Sequence, residues 1–149
     1  MNRLRRTLLV TSPLVSGFII YFSCRPKSLF YYQWIPFKEL IRLDHFHNYA
    51  AAECSRFFAG SSVANTIIFS IPAAMFAFSL AFYLKTRYLH KAFERLNMIH
   101  KFAASLALIL IIAYIPEYLQ QIRVLPGHFD SLDVLTASLA TALALYVGK

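Results

Sequence analysis

From Val63 to Leu84 the chain carries no charged side chain. A helix needs about 20 predominantly apolar residues to cross the hydrocarbon of a bilayer, and this run supplies them, with Pro72 near its middle. In hydrocarbon there is no water to satisfy backbone N–H and C=O groups, so a spanning segment must close its own hydrogen bonds as a helix. That requirement sets the fold class. Composition agrees: 58% of the 149 residues are hydrophobic and 15% charged, where a soluble domain has about 45–50% and ~25%. The chain reads as one all-α membrane domain covering residues 1–149.

Three further apolar runs accompany the first. Thr7 to Ser23 follows Arg3, Arg5 and Arg6 and contains Pro13 and Gly17. A cleavage site needs small residues at the −3 and −1 positions, and Tyr21 before Ser23 does not fit, so this run is expected to stay as a signal-anchor helix. Phe102 to Tyr118 and Leu132 to Val147 complete an integral membrane bundle of four transmembrane helices. In the last of these, Ala137 and Thr141, and Ala140 and Ala144, recur at helical spacing and allow close packing. Between the first two spans, Phe30, Tyr31, Tyr32, Trp34 and Phe37 precede Lys38, Glu39, Arg42 and Asp44. Aromatic rings beside charge mark the membrane–water interface, so residues 38–58 are expected to form an interfacial helical loop or to extend the second span.

Charge sets the expected orientation. The net charge is +8 at pH 7, but the cations gather at the ends of apolar runs, which explains them without nucleic acid. Arg3, Arg5, Arg6, the connector from Lys85 to Lys101, and Lys149 stand against one acid, Glu94, whereas acids and bases balance in the other two connectors. By the positive-inside rule both termini are cytoplasmic. The aromatic loop and the turn after the third span then share the outer side of a plasma membrane.

That turn holds the most specific polar chemistry. Glu117, Gln120 and Gln121 are spaced to share a helix face, Arg123 follows, and Pro126-Gly127 signals a short turn into Asp130 and Asp133. The helices before and after should be antiparallel neighbours, with the aspartates near Glu117 and Arg123. Glu117 at the end of a span reads as a functional group or as a solvated helix end. Asp130 and Asp133 read as caps of the fourth span, or as contacts for a ligand at its N–H groups. Asp44, His45 and His47 lack a third ligand at metal spacing, so neither metal nor cofactor is expected. Cys24 and Cys54 are too few for a disulfide framework; both would lie on the outer side, where an oxidising envelope allows them to pair, but free buried thiols are the favoured expectation. No nucleophile elbow, zinc helix or phosphate loop is present, and there are only four glycines.

Four elements resemble the VanZ family, small four-span membrane proteins named for a teicoplanin-resistance protein. They are Ile35-Pro36-Phe37-Lys38-Glu39-Leu40-Ile41 after the first span and Asn65-Thr66-Ile67-Ile68-Phe69-Ser70-Ile71-Pro72 at the start of the second. Glu117 with Gln120 ends the third, and Phe129-Asp130-Ser131-Leu132-Asp133-Val134-Leu135 opens the fourth. Pro126-Gly127-His128 stands where the family has an arginine, and Ala137 and Ala140 where it has asparagine and glycine. The resemblance implies an envelope role and low-level glycopeptide resistance. On that basis Glu117, Gln120, Arg123, Asp130 and Asp133, with Asn65 and Lys38, are expected to bind the headgroup of a lipid, a cell-wall precursor or an amphiphilic antibiotic. The alternative is an accessory subunit of a larger membrane complex, contacting it through the small-residue face of the fourth span and the aromatic loop. A membrane enzyme with Glu117 or Asp133 as general acid or base is a third reading.

Overall fold

The computed structural model describes residues 3–24, 43–58, 62–124 and 130–147, and among these there is no strand. The all-α class therefore holds. Helix α1 is Arg3–Cys24, α2 is Leu43–Phe58 and α3 is Ser62–Leu84. Beyond Leu84, α3 continues through a π-helical turn, Lys85–Leu89, into His90–Arg95. Helix α4 spans Met98–Gln121 and α5 spans Ser131–Val147. Helix α2 falls within the stretch expected to lie at the interface; residues 38–42, Lys38 among them, lie outside the described residues.

The helix limits follow local chemistry rather than the edge of the apolar runs. Helix α4 starts at Met98, well before Phe102, because Asn97 caps it: its Oδ1 accepts the His100 N–H at 2.9 Å. Helix α1 includes the basic residues Arg3, Arg5 and Arg6.

Helix α3 is central, with α1 on one side and α5 on the other. Gly17 lets α1 come close to α3: a Cβ there would stand 3.0 Å from Met75 Cβ and 3.4 Å from the Pro72 carbonyl oxygen. Further towards the α1 N-terminus, Leu9 and Val10 pack on the buried cluster that includes Ala81 and Phe82, so the two helices run antiparallel. Helices α3 and α5 run parallel. Thr136 near the start of α5 has its Oγ1 3.5 Å from the Ser70 carbonyl, and Lys85 beyond the end of α3 donates to the Leu145 carbonyl. Small residues make this seam: Ala77 and Ala81 from α3, Ala137, Thr141 and Ala144 from α5, all buried. The close approach depends on them.

Among the described residues the buried hydrophobic side chains are mostly alanine, with Phe82 the largest fully buried one; Leu80, Leu84 and Leu108 pack against them, and many other long apolar side chains are exposed. Leu106, Leu110, Tyr114 and Tyr118 form an exposed stripe along α4, and Leu135, Leu139 and Leu143 another along α5. Among the described residues, α4 is long and apolar enough to cross a membrane, and only 11% of its apolar window is buried within the chain.

One expectation is corrected. Cys24 and Cys54 are not free thiols but a disulfide, with Cα atoms 5.5 Å apart. It joins the end of α1 to α2 across 30 positions of sequence. Packing of α2 beside the end of α1 creates that proximity, which the spacing of two cysteines cannot reveal.

Candidate functional site

The end of α4 and the start of α5 meet at one end of the bundle, and a break in the helical ladder directs what meets there. Pro116 has no N–H to give to the carbonyl four residues back. Upstream of it α4 takes a π-helical turn, Leu110–Tyr114, in which the Ile115 N–H bonds to the Leu110 carbonyl. A π turn adds a residue to the repeat and re-aims the side chains beyond it. Ile112 and Ala113 are buried within the turn, and Glu117 beyond it is also buried, 7% exposed.

The Glu117 carboxylate accepts the backbone N–H of Asp130 through Oε2 at 3.2 Å. The Asp130 side chain in turn accepts the N–H of Leu132 through Oδ1 at 2.8 Å, and its carbonyl takes the Val134 N–H at 3.2 Å. Asp130 is therefore the N-cap of α5, satisfying one of the four unpaired N–H groups of the first turn. The negative charge also suits the positive end of the helix dipole. Of the two readings the sequence left open for Asp130, the geometry shows the cap. One N–H group of the α5 N-terminus, that of Leu132, thus meets the carboxylate of its own cap.

Helix α4 closes with a matching motif. The Val124 N–H bonds to the Leu119 carbonyl at 2.9 Å and the Arg123 N–H to the Gln120 carbonyl at 3.0 Å. This is a Schellman ending, with Arg123 at the left-handed position, φ 60°. Glycine usually stands there, since a side chain in this conformation costs about 1–2 kcal/mol. Arg123 is exposed at the rim.

The expected residues separate as follows. Glu117 and Asp130 are in direct contact. Gln120 and Asp133 are half-buried on α4 and in the first turn of α5. Gln121, expected on the same face as Glu117, is exposed. Asn65 lies in α3, but its side chain, like Lys38 and the Pro126-Gly127 turn, lies outside the described residues. His45 is exposed and His47 buried, on opposite faces of α2.

Two polar residues escaped the sequence reading. The single Thr136 hydroxyl proton has its nearest acceptor in the Leu132 carbonyl of its own helix at 2.9 Å, with the Asp133 carbonyl at 3.2 Å and the Ser70 carbonyl of α3 at 3.5 Å from Oγ1. Its hydroxyl lies where the first turns of α5 meet α3. Lys85, read only as a topological charge, is 8% exposed and donates to Leu145 in the last turn of α5. The available signal was its place as the first cation after a long uncharged run.

No protein-family model, no curated protein and no solved structure matches this chain.

Proposed function

We propose that the chain is a VanZ-like integral membrane protein of the cell envelope. In this reading α1, α3, α4 and α5 are its four transmembrane helices, both termini are cytoplasmic, and the Glu117–Asp133 end recognises a headgroup at the outer leaflet. One observation carries the reading: a carboxylate, Glu117, is buried at the end of an apolar helix whose other faces are mostly exposed. Ionisable groups at that depth are costly and characteristically functional. Outward Leu106, Leu110, Leu139 and Leu143 suit contact with acyl chains better than contact with water.

The side chains gathered at this end are mainly acceptors: Glu117, Asp130, Asp133 and the Gln120 amide oxygen. The complementary headgroup brings donors, as hydroxyls, amides or an ammonium do in lipids, cell-wall precursors and lipoglycopeptides. Arg123 at the rim supplies the opposite charge for a phosphate or carboxylate on the same ligand. An accessory subunit is the second reading, but one surface it would use, the small-residue face of α5, is already packed against α3.

The test is native mass spectrometry of the protein from mild detergent, comparing wild type with Glu117→Gln/Asp133→Asn. A bound lipid or envelope precursor present in the first and lost in the second is expected, and its mass names the ligand class. A common protein partner with no small molecule in either would replace headgroup recognition by the accessory reading.

A further inference from the structure

The end of the bundle opposite Glu117 carries the chain's densest charge, and its geometry is that of a collar. Arg87, Lys91 and Arg95 recur at four-residue spacing along the extension of α3, and all three are exposed. The extension ends at Arg95, and after Leu96 and Asn97 α4 begins, with Lys101 exposed beyond its first turn. Arg3, Arg5 and Arg6 are exposed at the start of α1. Because Gly17 lies against Met75 in the antiparallel pair, Arg6 and Thr86 each stand about 16 Å along the helix axis from that contact, on the same side. The α1 arginines therefore sit level with the π turn. The one acid of this region, Glu94, stands 3.4 Å from His90 through Oε1 and Nε2. Lys85 is set apart, buried on the Leu145 carbonyl.

Apolar side chains are interleaved with these cations. Met98, Ile99 and Phe102 are 87%, 77% and 69% exposed, between Arg95 and Lys101 and just beyond them, and Tyr88 is 65% exposed beside Arg87. A polyanion in water, such as nucleic acid, matches the cations and leaves these apolar groups wet. A lipid surface takes both: phosphates at the cations, acyl chains at the apolar groups.

We propose that this collar binds anionic phospholipid headgroups, Arg87, Lys91, Arg95 and Lys101 holding the phosphates while Met98, Ile99 and Phe102 enter the adjoining acyl layer. The inference rests on the multi-span reading above and concerns the opposite end of the molecule from the Glu117 site. Each cation at an anionic surface contributes about a fivefold factor at physiological salt.

The experiment reconstitutes the full chain in nanodiscs of equimolar phosphatidylcholine and phosphatidylglycerol and measures which lipid stays bound after transfer to detergent. Wild type retains phosphatidylglycerol preferentially. Arg87→Gln/Lys91→Gln/Arg95→Gln, all exposed sites, lowers that preference on the order of a hundredfold, and added salt lowers it in wild type. Glu94→Gln raises it. No preference in an embedded wild-type protein, an undiminished preference in the triple variant, or displacement of the lipid by a short oligonucleotide at equal charge would overturn the collar. Extraction of the protein from membranes by alkaline carbonate would instead remove the multi-span reading, and the collar with it.

Discussion

Asp130 separates the roles of cap and ligand group, because its side chain and its backbone do different things. The side chain accepts the Leu132 N–H at 2.8 Å, while the backbone N–H is given to Glu117 at 3.2 Å. Asp130→Ala removes the first and leaves the second. Loss of an N-cap acceptor costs about 0.5–2 kcal/mol, and loss of a negative charge at a helix N-terminus about 0.3–1 kcal/mol, so about 0.8–3 kcal/mol is expected together. Asp130→Asn keeps an oxygen in place and loses only the charge, about 0.3–1 kcal/mol. Each kcal/mol moves the unfolding midpoint by about 2–4 °C in a chain of this size. Circular dichroism in mild detergent should then show a fall of about 2–12 °C for Ala and about 1–4 °C for Asn. If Asn falls as far as Ala, the charge itself and not the acceptor is what the structure uses, and Asp130 is not acting as a cap. If neither moves the midpoint, the cap does not form.

The disulfide closes 30 positions of sequence, so breaking it by Cys24→Ser or by a reductant should cost about 3–4 kcal/mol; equal midpoints with and without reductant would show that the thiols are free. Gly17→Leu has no room against Met75 and Pro72 and should cost about 1–3 kcal/mol as α1 is forced from α3, with an unchanged midpoint contradicting that contact. Lys85→Met leaves the Leu145 carbonyl without this donor and should cost about 1–3 kcal/mol. Arg87→Met at an exposed site should stay within ~0.5 kcal/mol, and equal effects of the two would remove the structural role given to Lys85.

What was legible in the sequence was what the backbone and the solvent dictate locally. The uncharged run after Val63 forced a helix, and helical spacing in the last run marked Ala137, Ala140, Thr141 and Ala144, of which all but the half-buried Ala140 are buried. Asp130 ahead of an apolar run was readable as a cap because capping uses only neighbouring N–H groups. The antiparallel meeting of Glu117 and Asp130 followed from a short connection between two helices.

Tertiary structure decided everything that joins residues distant in sequence or turns on a helix's rotation. The π turn before Pro116 sets which face of α4 Glu117 occupies, and a regular repeat counted along the sequence contains no such turn. The pairing of Cys24 with Cys54 needed α2 to dock beside the end of α1. Lys85 became a buried donor only because the parallel packing of α3 and α5 brings the Leu145 carbonyl against it. A sequence specifies which groups need partners; which partner each one finds depends on how the helices pack.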